Sequence, residues 1–174
     1  MLKKSTKKLV LAALFMALGL LLPFFTGQIP SIGNKLLPMH LPVLLCGFVC
    51  GWEYGLTVGF ILPVFRSLLF GMPPMYPTAV AMSFELAVYG LVTGYLYTKL
   101  PKKNLSVIFS LVIAMLCGRM IWGLVSVILY GLGGNSFAWK MFVAGAFFNA
   151  IPGIIIQLVI IPAIIIALKR AELI

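Results

Sequence analysis

From Leu9 to Leu168 the chain is almost unbroken apolar sequence, yet Arg66, Glu85, Arg119 and Lys140 sit inside it. No other feature constrains the fold as much. Hydrophobic residues make up 63% of the 174, far above the usage of a soluble domain. A helix needs about 20 apolar residues to cross a bilayer, so about six spans fit and no room is left for a separate soluble domain. The expected fold class is an all-α integral membrane protein with six transmembrane helices, a single membrane domain over 1–174. Charges are costly in hydrocarbon, and those retained there mark a polar cavity and a ligand.

Turn-forming residues divide the apolar sequence. Spans are expected at 9–25, 36–51, 55–70, 78–97, 105–130 and 137–168. The first follows Lys3, Lys4, Lys7 and Lys8 and resembles a signal peptide, but no small-x-small cleavage site follows it, so it reads as an uncleaved helix. Gly27, Pro30, Gly33 and Asn34 mark the first loop. Gly71-Met72-Pro73-Pro74-Met75-Tyr76-Pro77 cannot be a helix interior because of its prolines. Pro152 and Pro162 are expected to kink the long sixth span.

The net charge of +10 does not point to nucleic acid, because the basic residues lie mainly at span ends. With six spans, Lys3, Lys4, Lys7, Lys8, Lys99, Lys102, Lys103, Lys169 and Arg170 share one side, and Lys35 and Lys140 face the other. The positive-inside rule then places both termini in the cytoplasm. Cys46, Cys50 and Cys117 fall within spans at no zinc or redox spacing, and the one histidine, His40, cannot make a His-rich metal site. No metal site and no catalytic residue is expected.

The polar residues gather toward the outer side. At 1.5 Å per residue, Glu85 lies roughly 12 Å from the outer end of its span. Arg119 and Asn149 lie roughly 18 Å deep, and Arg66 and His40 roughly 6 Å. Trp122, Tyr76, Trp139 and Asn135 border the same level, whereas Gln157 is alone in the cytoplasmic half. This asymmetry predicts a pocket open to the outside above an apolar floor. Its basic residues outnumber its acidic ones, which favours an anionic group, with Arg119 gripping a carboxylate through two donors. Each member also has a plainer reading. Glu85 and Arg119 can be a structural pair, Arg66 can snorkel to headgroups, His40 can be interfacial, and Tyr76 and Trp139 suit an aromatic belt. Ala13 and Ala17 form a small-xxx-small pair in the first span. The glycines at 47, 51, 55 and 59, and at 90 and 94, read as helix-packing positions.

The basic N-terminus, the Ala13/Ala17 pair, Leu41-Pro42-Val43-Leu44-Leu45-Cys46-Gly47-Phe48 with its spaced glycines, and the Gly71-Met72-Pro73-Pro74 loop carry a resemblance. Over essentially its full length the chain resembles the substrate-binding S component of an energy-coupling factor (ECF) vitamin transporter. The resemblance implies a multi-pass protein of a bacterial or archaeal plasma membrane. Its first-helix alanine pair would dock on a transmembrane coupling subunit driven by two cytoplasmic ATPases, which alone use ATP. It implies an outward substrate site built from later helices and capped by the first and third outer loops, and release by toppling in the membrane. Gly71 to Pro77 and Phe84-Glu85-Leu86-Ala87 look most similar to pantothenate-type members; niacin, pyridoxine-like, queuosine-precursor and ribazole-type ligands stay open.

Three other functions compete, of which a purely structural membrane scaffold would not explain the one-sided polar set. In a stand-alone proton-coupled secondary transporter Glu85 would carry the proton, but no inverted repeat is evident for alternating access. An intramembrane enzyme lacks a metal site and a Ser-His pair at useful depth. No phosphate-binding Gly-x-x-x-x-Gly-Lys loop occurs, so no cofactor is expected in this chain.

Overall fold

The computed structural model describes residues 2–26, 35–101, 103–134 and 142–173. Among them every element is helical: α1 Leu2–Leu21, α2 His40–Cys50, α3 Trp52–Phe70, α4 Val80–Lys99, α5 Asn104–Leu132 and α6 Ile151–Arg170. Short helical turns at Leu22–Thr26, Met75–Ala79 and Ala144–Phe148 follow α1, precede α4 and precede α6. Among the described residues five segments are long and apolar enough to cross a membrane; α2 is shorter.

That short second helix departs from the span expected over 36–51. Pro38 disfavours helical backbone at the residue before it, and Leu37 adopts a positive φ of 51°. The helix therefore starts only at His40. Its eleven residues rise about 16 Å, roughly half of the hydrocarbon thickness. All of them except Leu41 and Val49 are buried. A helix that is apolar all round belongs in the interior, and α2 is the central post against which α1, α3, α4 and α6 pack.

The turn between α2 and α3 is tighter than expected. Gly51 alone makes it, at φ 101°, a conformation that suits glycine, and Trp52-Glu53-Tyr54 already form the first turn of α3. Here the spaced glycines act as the sequence suggested. A Cβ on Gly55 would come 2.6 Å from the Gly90 carbonyl oxygen, so α3 and α4 touch backbone to backbone. Their contact is the largest in the molecule and fixes the height of Glu85.

A second correction concerns the last span. It is not one helix from 137 to 168. After the turn at Ala144–Phe148 a new helix begins at Ile151 with Pro152 in its first turn, where a missing N–H costs nothing. Pro152 starts this helix rather than kinking it, and the helix continues through Pro162.

One end of the bundle is basic. Lys169 lies over the Tyr97 ring at 5.2 Å, near the ends of α4 and α6 that carry Lys99 and Arg170. Lys8 reaches the Gly51 turn. Above this end an apolar core of Leu44, Phe48, Leu111, Met115, Ile161 and Ile165 fills the space between α2, α5 and α6.

Candidate functional site

A buried polar cluster lies above that core. Counted from the basic end, Glu85 is fourteen residues above Lys99 on α4 and Arg119 fifteen above Asn104 on α5, so both stand about 21 Å up. His40 opens α2 at the same level. Arg119 Nη1 is 3.0 Å from Glu85 Oε1, and His40 Nε2 is 3.5 Å from the same oxygen. Exposure of the three residues is 1% for His40 and Glu85 and 5% for Arg119. In an apolar interior neither charge persists unless the other compensates it.

Tyr89 completes the cluster. It is one helical turn below Glu85 on the same face of α4, and its ring meets His40 edge-on at 5.3 Å. Gly118, beside Arg119, makes room for that ring, since a Cβ there would run into Tyr89. Sequence reasoning passed over Tyr89. The i, i+4 spacing from Glu85 was the available signal.

The cluster is not self-sufficient. Arg119 Nε and Nη2, both ring nitrogens of His40 and Oε1 of Glu85 are buried without an aligned hydrogen-bond partner among the described residues. Nε and Nη2 lie along one edge of the guanidinium. That edge is a two-donor fork matching a carboxylate or similar planar anion. Glu85 takes Nη1 and leaves the fork open.

The other expected site residues fall elsewhere. Arg66 is buried, but its Nη1 donates to the Leu20 carbonyl, and its guanidinium lies over the rings of Phe24 at 4.8 Å and Phe70 at 5.2 Å. It ties the end of α1 to the end of α3 and makes no contact with the Glu85 cluster among the described residues. With Arg66 removed, one arginine faces one glutamate among the described residues. An anion preference then rests on the open edge of Arg119 and no longer on surplus positive charge.

Asn149 is exposed just before α6, not roughly 18 Å deep, because the helix restarts at Ile151. The same restart puts Gln157 six residues into α6, about 9 Å from its start, rather than in the half of α6 nearer the basic end. His40 is deeper than expected because α2 starts late. Trp122 stands one turn above Arg119 and stacks on Phe142, centroids 6.3 Å apart. Tyr76, half exposed, donates its hydroxyl to the Leu129 carbonyl and joins the loop before α4 to the last turn of α5. Asn135, Trp139 and Lys140 lie outside the described residues, as does the loop around Gly33.

No group of three or more His, Cys, Asp or Glu that could hold a metal ion occurs among the described residues. On α1, Ala13 and Ala17 are exposed with Leu9, Val10, Leu14 and Leu18, while Ala12 and Gly19 face inward. A family model described as ECF transporter, substrate-specific component, matches residues 7–165. Comparison with curated proteins and with solved structures finds no match.

Proposed function

The chain belongs to the substrate-specific component family of ECF transporters, and from that membership we propose that it captures a small carboxylate-bearing molecule with Arg119. Such a component is a multi-pass membrane subunit that supplies specificity, while ATP hydrolysis belongs to partner subunits. The observation that carries the carboxylate reading is the open Nε–Nη2 edge of Arg119, buried and unpartnered beside Glu85. Leaving such donors unpaired is expensive, and a ligand carboxylate removes that cost on binding.

Pantothenate is the first candidate, on the resemblance of Gly71 to Pro77 and Phe84 to Ala87. It carries one carboxylate with neutral polar groups beyond it, which suits a cluster with one free arginine edge. The Tyr76–Leu129 contact puts the loop before α4 over the end of α5 that leads down to Trp122 and Arg119, a position suited to covering a bound molecule. The exposed Ala13/Ala17 face of α1 suits close approach of a coupling helix.

The test is calorimetric titration of the purified protein in lipid nanodiscs with pantothenate, nicotinate and pyridoxine, the last lacking a carboxylate. Binding of a carboxylate that Arg119→Ala abolishes supports the reading. Binding of pyridoxine alone, or carboxylate binding that survives Arg119→Ala, overturns it.

A further inference from the structure

Gln157 is completely buried, with 0% exposure. Both its amide atoms, Nε2 and Oε1, lack a hydrogen-bond partner among the described residues. A native fold seldom leaves a whole amide unpaired in its interior, because the desolvation is uncompensated.

Its position follows from the packing of α6. Gly153, Gln157, Ile161 and Ile165 recur every four residues and form the buried face of this helix. One turn before Gln157, a Cβ on Gly153 would meet the Lys35 carbonyl oxygen at 2.7 Å and Leu37 at 2.9 Å. One turn after it, Ile161 belongs to the apolar core that α2 and α5 share with α6. Gln157 therefore falls between the level of Lys35 and Leu37 and the level of that core. From the basic end it is thirteen residues up, against fourteen for Glu85 and fifteen for Arg119. Those steps differ by about 3 Å in height.

We infer that Gln157 is a second polar contact of the substrate. Its amide, which both donates and accepts, recognises a neutral hydroxyl or amide group on the molecule whose carboxylate Arg119 holds. The inference rests on the carboxylate reading and adds a substrate class: an acid carrying a neutral hydroxyl or amide group. It explains two orphaned sets of polar atoms at one level with one ligand. A site that hydrogen-bonds a neutral polar group rejects analogues lacking it far better than a site built on shape.

The test is titration of full-length protein in nanodiscs with pantothenate and with nicotinate, a carboxylate without hydroxyl or amide. Gln157→Leu is expected to weaken pantothenate binding roughly tenfold or more, the loss of one or two buried hydrogen bonds. Its ligand-free melting temperature should hold or rise, since an unpaired amide is gone. Gln157→Met, of similar length and without strong hydrogen-bonding atoms, is carried in parallel should the leucine variant not fold. Wild-type pantothenate affinity in Gln157→Leu or Gln157→Met, with binding lost in Arg119→Ala, overturns the role of Gln157 and leaves the carboxylate reading standing. So does Arg119-dependent binding of nicotinate without pantothenate. Wild-type protein that binds neither acid, or pantothenate binding that survives Arg119→Ala, removes the carboxylate reading and this inference with it.

Discussion

Arg119 meets Glu85 through one nitrogen, Nη1, at 3.0 Å, and keeps its two-donor edge unpaired. A pair built only for stability would be expected to use the bidentate edge, the strongest geometry available to arginine and carboxylate. Here Glu85 balances the charge and leaves the fork to something else. On the proposed reading, the structural contact and the ligand grip use different nitrogens of one side chain.

Arg119→Lys separates them. Lysine keeps the charge near Glu85 but has no fork. The variant should fold with a melting temperature near that of the wild type and bind a carboxylate ligand at least tenfold more weakly. Arg119→Ala should also lose stability, on the order of 3–5 kcal/mol, because Glu85 stays buried without its counter-charge. Melting curves and calorimetry on the same samples give both quantities.

Glu85→Gln leaves Arg119 buried without an anion. The ligand-free protein should melt several degrees lower. A ligand carboxylate then supplies the missing counter-charge, so added ligand should raise the melting temperature more than it does in the wild type. Complete loss of binding would instead make Glu85 a direct contact of the ligand.

Glu85 and Arg119 were legible in the sequence because an ionised group in a long apolar run is costly wherever the chain turns. Their partners were not, since pairing needs height as well as identity. Pro38 shortened α2 and sank His40 to the level of Glu85. Pro152 posed a real ambiguity: a proline in an apolar run kinks a helix or begins one. The expected span of 137–168 exceeded what a bilayer requires, and that excess was the sign of a break. Missing it set Asn149 too deep and Gln157 too far from the level of Glu85. Arg66 failed for another reason. Its partners include Leu20 and Phe24, far away in the chain, and no local pattern announces such a contact.

Arg66 is expected to matter for stability alone. Truncation to alanine removes a charge-assisted hydrogen bond and two cation–π contacts, together about 2–4 kcal/mol. The melting temperature should fall while affinity in the folded fraction stays at the wild-type value. A tenfold affinity loss at unchanged stability would return Arg66 to the site.

The α1 face gives a prediction about transport. Ala13→Trp or Ala17→Trp places a ring where a coupling helix would need close approach. Energised uptake in cells should stop, while the purified component still binds its ligand. Uptake at the wild-type level in both variants would move the docking surface elsewhere. Loss of binding as well would show that α1 supports the pocket, an outcome that its contacts with α2 and α3 make a fair comparison.

The last prediction concerns sidedness. Lys8, Lys99, Lys169 and Arg170 lie toward one end of the bundle, and the positive-inside rule assigns that end to the cytoplasm. Both termini are then expected inside, although α2 is too short to cross as an ordinary span. Its buried position resolves the conflict: a helix sheathed by α1, α3, α4 and α6 need not match the bilayer thickness, because protein and not lipid covers its ends. In a variant lacking the native cysteines, a membrane-impermeant thiol reagent applied to intact cells should label Met75→Cys and Gly133→Cys. Lys99→Cys and Lys103→Cys should react only after permeabilisation. Labelling of the lysine positions from outside would invert the orientation and turn the Arg119 cluster toward the cytoplasm, where a component that captures molecules from outside could not use it.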